Sequence, residues 1–260
     1  LLAAFLIAIG MFGTILYLPL FVQAVLGRTA TNSGAVLTPM MLAFVFSSVV
    51  GGQILSRTGR YKALAIGTVA VATVGMYLLS RMDVTTTNAT VVRNMIVLGL
   101  GIGTTMSLFT IVIQNAFPPE RLGEVTSALT FFRSIGGTVG AAILGTVMTN
   151  RFQSELTARI PDQVRALIPA DRLATLENPQ VFMSPEAMQR MHEQAAAFGP
   201  QGQQVLEMLL GAIRTALATA LDHVFLAGTF IMALALLCTL LIPEVPLRRS
   251  NTRPPAALGH

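Results

Sequence analysis

The chain has 260 residues, 53% of them hydrophobic and 11% charged, with no Trp and a mean hydropathy of +0.68. A soluble domain carries about a quarter charged residues. So small a share, gathered at the ends of apolar runs, argues against a disordered chain, a nucleic-acid-binding domain and an ordinary cytosolic enzyme, and for an all-α protein of transmembrane helices. The net charge of +5 and pI near 10.3 do not restore a nucleic-acid partner, because no basic run exceeds Arg248-Arg249. The single cysteine, Cys238, has no internal partner, and no Cys/His cluster has metal-ligand spacing, so no metal and no cofactor are expected.

The chain opens on Leu1-Leu2-Ala3-Ala4-Phe5, already apolar, with no initiator Met and no basic stretch ahead of it. Gly10 to Leu26 continues the run without a signal-type cleavage site. The expectation is a fragment whose upstream half is missing. A helix that crosses a bilayer needs roughly 20 mostly apolar residues. Six stretches qualify: 1–26, 34–55, 63–82, 91–116, 126–149 and 218–242. The first five fill 1–149. Their connections are short and carry breakers, at Gly27 to Gly34, Ser56 to Lys62, Asp83 to Thr90 and Pro118-Pro119.

The connection at 150–217 is long and holds five prolines, Pro161, Pro169, Pro179, Pro185 and Pro200. Within it 153–168 and 186–198 predict short amphipathic helices at a polar surface. Leu206, Leu210, Ile213, Leu217 and Leu221 recur at helical spacing. No Gly or Pro separates them from Asp222 onward, so they extend the last span outward or form a helix lying flat on the membrane. The tail covers 243–260. Basic residues orient the bundle. The loops after spans two and four plus the tail hold seven (Arg57, Arg60, Lys62, Arg121, Arg248, Arg249, Arg253), against three (Arg28, Arg81, Arg93) in the opposite short loops. By the positive-inside rule the tail is cytoplasmic and the long loop is outside.

The loop after span two reads Gly52-Gln53-Ile54-Leu55-Ser56-Arg57-Thr58-Gly59-Arg60-Tyr61-Lys62. Gly59 permits a tight turn, and the cations can meet helix C-terminal carbonyls or acids on a neighbour. It is either a positive-inside anchor or a gating latch whose ion pairs form in one access state. This loop resembles the second-half copy of the major facilitator signature G-x-x-x-D-R-x-G-R. Gly52, Arg57, Gly59 and Arg60 match it, and Ser56 stands where the signature has an acid. Leu18 to Gly27, followed by Gly34 and Pro39, and Phe117 to Gly123, followed by Arg133 to Gly137, resemble the fourteen-span drug:proton antiporter branch. The resemblance implies the six-helix C-terminal half of a major facilitator fold in a cytoplasmic (inner) membrane. It implies export of a small hydrophobic or amphipathic substrate in exchange for a proton, with the N-terminal half as its other wall.

Pro19 and Pro39 interrupt helices, and Gly99-Leu100-Gly101-Ile102-Gly103 and Gly136, Gly137 and Gly140 let backbones approach. In span four, Gly103, Ser107, Thr110 and Gln114 share one face, which is either interhelical bonding or a cavity wall. In span one, Gly10, Thr14, Tyr17 and Phe21 share a face, either packing or a surface for a flat substrate. Arg133 lies inside span five, where it snorkels or meets a partner charge on the substrate or the other half. Asp222 and His223 sit at the outer end of span six, and Asp222 is the one acid within the six stretches. Coupling acids are therefore expected in the other half. The rival readings are export of a lipid precursor or metabolite, a non-transporting scaffold or sensor, and a membrane enzyme. An enzyme needs a nucleophile with a base, or paired carboxylates, and the spans hold neither.

Overall fold

The computed structural model describes residues 1–27, 30–160, 184–197 and 199–242. Seven helices occur among them. They are α1 (Leu2–Leu20), α2 (Ala30–Thr58), α3 (Lys62–Leu79), α4 (Asn88–Ala116), α5 (Leu122–Arg159), α6 (Pro185–Ala197) and α7 (Gly199–Leu240). All but α6 are long and apolar enough to cross a membrane. The chain is thus an all-α bundle with six candidate spans.

Local chemistry sets the ends. Pro19 has no N–H to donate, and the helix widens after it into a π turn at Phe21–Val25, closed by Leu26 N donating to Phe21 O at 3.1 Å. Gly59 stops α2 at φ +66°, its N–H donating to Leu55 O at 2.9 Å, a left-handed cap that any Cβ would strain. Thr87 caps α4 through its side-chain oxygen, which accepts from Thr90 N.

Two helices outrun the spans expected for them. The 38 residues of α5 and 42 of α7 reach roughly 55–65 Å, about twice a hydrocarbon core. Residues 150–159, expected to open the long loop, are the end of α5, and α7 starts at Gly199, ahead of Val205. The reason is a continued apolar stripe. Phe152, Leu156 and Ile160 of the α5 end join Leu209 and Ile213 of α7 in the main buried cluster, so both helices keep a partner past the expected spans. The helix expected at 153–168 is therefore the last turns of α5 as far as 159, capped at Ile160; residues 161–168 and the tail 243–260 lie outside the described residues. The helix expected at 186–198 is α6, with Pro185 at its first position.

The helices interlock in fixed register through small residues. A Cβ on Gly99 would lie 2.5 Å from Met40 O, and one on Gly103 2.1 Å from Phe44 O. Ser107 pairs with Ser48. Each step advances four residues on both helices, so α2 and α4 run parallel in backbone contact. The same holds for α1 and α5, where a Cβ on Gly136 would meet Phe5 O at 2.5 Å and one on Gly140 Ile9 Cα at 2.8 Å. On the opposite side of α4, a Cβ on Gly101 would lie 2.3 Å from Ala72 N and one on Gly75 2.6 Å from Leu98 Cα, so α3 runs antiparallel to α4. The alternating glycines of 99–103 thus seat α4 between α2 and α3.

α7 packs on α1, α3 and α5 and completes the core. Exchanging the set α1, α2, α3 for α4, α5, α7 turns the α2–α4 contact into α5–α1 and the α3–α4 contact into α7–α1, and leaves α3–α7 in place. The contacts thus group into two three-helix units with matching partners, except that α5 packs on α7 where α2 and α3 barely meet. α4 and α5 meet only sparsely, and that seam holds the site.

Candidate functional site

Arg133 stands on α5 eleven residues from its start at Leu122, roughly 16 Å along the helix. Its guanidinium crosses to α4. One terminal nitrogen, Nη2, donates to Met106 O at 2.8 Å and to Thr110 Oγ1 at 3.2 Å. Thr110 in turn donates to Met106 O at 2.9 Å. Arg133 Nε is buried and has no hydrogen-bond partner. Among the described residues the ion pair is Arg159 with Glu155 at the C-terminal end of α5, so the charge at Arg133 meets only neutral acceptors there.

Toward the start of α5 the seam is bridged again, Gln114 Nε2 donating to Thr126 Oγ1 at 3.3 Å. Away from it, Arg133 is followed one turn later by Gly137, and a Cβ there would strike the ring of Phe12 at 2.7 Å. Phe12 is 37% exposed, so an aromatic surface lies open one turn from the cation. Deeper on α4, Ser107 bonds Ser48 and donates to Gly103 O at 3.4 Å. The polar stripe Ser107, Thr110, Gln114 is half-buried along its length, and it joins α4 to α2 at one end and to α5 at the other.

The α1 face divides. Tyr17 is half-buried, with its hydroxyl 3.2 Å from where a Cβ on Gly145 would sit. Thr14 and Phe21, expected to share a cavity face with it, are each fully buried. Thr14 Oγ1 donates to Gly10 O at 3.1 Å and lies 3.7 Å from Met76 Sδ, so it faces α3. Phe21 opens the π turn with helical backbone angles, its N–H donating back to Tyr17 O, and two turns on from Thr14 it shares that residue's buried side of α1. Neither belongs to the exposed face.

In the basic loop, Arg57, Ser56 and Arg60 are exposed, and Gly52 and Lys62 are half-buried. Ser56 Oγ donates to Gln53 O at 2.9 Å, a local bond where an acid could have reached across to another helix. At the other face of the bundle, Asp83 accepts from Thr85 N at 2.9 Å, Thr85 Oγ1 at 2.7 Å and Thr86 Oγ1 at 3.1 Å. The Thr85 hydroxyl holds its carboxyl below the usual range. On α7, Asp222 Oδ1 is buried without a hydrogen-bond partner, and His223 Nδ1 donates to Thr219 O at 2.8 Å.

Several contributors escape a reading of stripes alone. Ser48 and Thr126 bond stripe residues, and Phe12 lies roughly 140° round α1 from Tyr17. Ser47 and Thr104 join α2 to α4, Thr104 Oγ1 donating to Ser47 O at 2.7 Å. The Ser47-Ser48 pair inside an apolar run was the signal available.

Residues 1–141 match the family model described as Major Facilitator Superfamily. The chain is similar to a protein named multidrug transporter protein MdtP of Bacillus subtilis, 32% identical over 97% of this chain and 46% of the relative. It is also similar to a tetracycline resistance determinant of Streptomyces rimosus, 37% identical over 55% of this chain and 42% of the relative. A third relative, multidrug resistance protein 3 of Bacillus subtilis, is 38% identical over 54% of this chain and 27% of its own length. The chain spans less than half the length of each of these relatives.

Proposed function

The chain belongs to the major facilitator superfamily, and on that premise we propose that it is one six-helix wall of an exporter for hydrophobic or amphipathic drugs, driven by protons. The observation that carries the reading is the reach of the likeness. A relative named a multidrug transporter aligns with 97% of this chain, across all six candidate spans.

In this reading a second six-helix bundle completes the cavity. The exposed side of the seam between α4 and α5, with Tyr17 and Phe12 of α1, faces it. Alternating access rocks the two bundles about a midplane site. The register-locked pairs α1–α5 and α2–α4 move as rigid bodies, because their backbones are in contact. The sparse α4–α5 seam is where the bundle yields. The loop from Gly52 to Lys62 rests on the cytoplasmic side and holds one access state, with acids of the other bundle as its partners. Proton entry shifts the population between states. The carboxylates that take the proton belong mainly to the other bundle, since this chain contributes only Asp222 within the expected spans. The membrane is the cytoplasmic one.

Efflux of a fluorescent amphipathic dye from cells expressing the complete transporter tests this. Accumulation should fall below that of control cells and recover when an uncoupler collapses the proton gradient. Equal accumulation with and without the gradient, in a correctly inserted protein, refutes proton-driven export. Orientation is tested with Cys238→Ser as background. A membrane-impermeant maleimide should label Thr85→Cys in intact cells and Thr58→Cys only after permeabilisation.

A further inference from the structure

We propose that Arg133 receives the anionic group of the transported compound, so that the site takes amphipathic aromatic acids, with the carboxylate on the guanidinium and the ring system against Phe12. The inference rests on the export reading for its substrate and on the seam for its geometry.

An arginine this far inside a span is costly unless its charge is met. Here a backbone carbonyl and a threonine hydroxyl occupy one terminal nitrogen and hold the guanidinium in place. They supply no negative charge. Nε is withdrawn from solvent and still unpaired, which is the expensive state for a charged donor. No carboxylate among the described residues forms an ion pair with it. Glu124 on the same helix is exposed and nine residues away, about two and a half turns. A planar, charged donor fixed by neutral neighbours is suited to a carboxylate or phenolate oxygen. The surroundings add the rest of the recognition. The Phe12 ring packs on the bare backbone of Gly137 one turn from the cation and keeps part of its surface exposed, and Thr110 and Gln114 provide polar atoms along the same seam. A permanent cation would meet like charge at this point, whereas an acid or zwitterion would not.

The test uses the purified complete transporter and two probes, a rhodamine bearing a free carboxylate and the methyl ester of the same dye. Binding is read by fluorescence anisotropy. The unsubstituted protein should bind the free acid about tenfold or more tightly than the ester, the size of a charge-assisted hydrogen bond. Arg133→Gln should bring that ratio to about one by weakening the acid alone. Arg133→Lys, which keeps the charge and guards against a variant that fails to fold, should retain part of the preference. A ratio of one in the unsubstituted protein overturns the assignment. So does a ratio that survives Arg133→Gln, or loss of both dyes together, which would mean that Arg133 is a strut between helices or pairs with an acid of the other bundle. Binding with the expected ratio but no dye efflux from cells would refute the export reading and leave this assignment standing.

Discussion

Replacing Gly103 with Ala should separate α2 from α4. The new Cβ would lie 2.1 Å from Phe44 O, 2.3 Å from Ser47 Oγ and 2.8 Å from Phe44 C. Backbone atoms cannot rotate away, so one helix must retreat by roughly 1 Å, a gap that forfeits a quarter to a half of each dispersion contact along the seam. The Ser47 Oγ to Gly99 O bond, already 3.3 Å, would break, and the Thr104 to Ser47 O bond would lengthen from 2.7 Å. Overpacking costs about 1–3 kcal/mol and each lost bond up to about 1 kcal/mol. Alanine's better helix propensity returns about 0.5–1 kcal/mol. The net expectation is a loss of roughly 1–3 kcal/mol. It is measured as the thermal midpoint in detergent, with Gly67→Ala as the control because nothing lies within 4 Å of that position. A second readout fixes the mechanism. In a Cys238→Ser background, Ser48→Cys with Ser107→Cys should form a disulfide, since the two hydroxyls touch, and adding Gly103→Ala should lower its yield. Unchanged stability with unchanged cross-linking would refute the claim that these backbones meet at Gly103.

Gly59→Ala places a Cβ at φ +66° and should destabilise by about 1–2 kcal/mol, whereas Gly52→Ala, inside α2 with open space around it, should raise the thermal midpoint slightly through its helix propensity. Thr104→Val keeps the shape and removes the bond to Ser47 O. A loss of about 0.6–1 kcal/mol is expected, and a variant as stable as the parent would show that the bond contributes nothing. Asp83 has a carboxyl held below its unfolded value by the Thr85 hydroxyl. Its stabilisation is therefore present above the unfolded carboxylate range and lost as pH falls through the depressed value. Asp83→Ala should lower the thermal midpoint at neutral pH and match the parent in strong acid; a difference that persists there would remove the carboxylate from the explanation.

The residues show what a one-dimensional reading can reach. Six apolar stretches are legible because a lipid solvent sets both the length and the composition of anything that crosses it. The close-packed glycines are legible for a related reason. Without a hydrophobic force between helices in lipid, small residues are what lets backbones meet, and 99–103 and 136–140 carry them. Family membership was legible in the loop from Gly52 to Arg60 and in the motifs on either side of it.

Which side of each helix lies inside was decided by tertiary packing. In a bilayer the outward face is as apolar as the inward one, so periodicity does not separate them. Thr14 and Tyr17 share a line in the sequence, yet one is sealed against Met76 and the other reaches the Gly145 position. Phe21, two turns on from Thr14, is buried along with it, a placement that only the assembled bundle shows. The lengths of α5 and α7 also depend on each other, since each end is helical where the other shelters it. Arg133 was visible as a charge in an apolar run, but its neutral partners on α4 and its unpaired Nε exist only once the two helices are side by side. Covalent order sets how greasy a segment is, whereas contact between segments sets where its few polar atoms point.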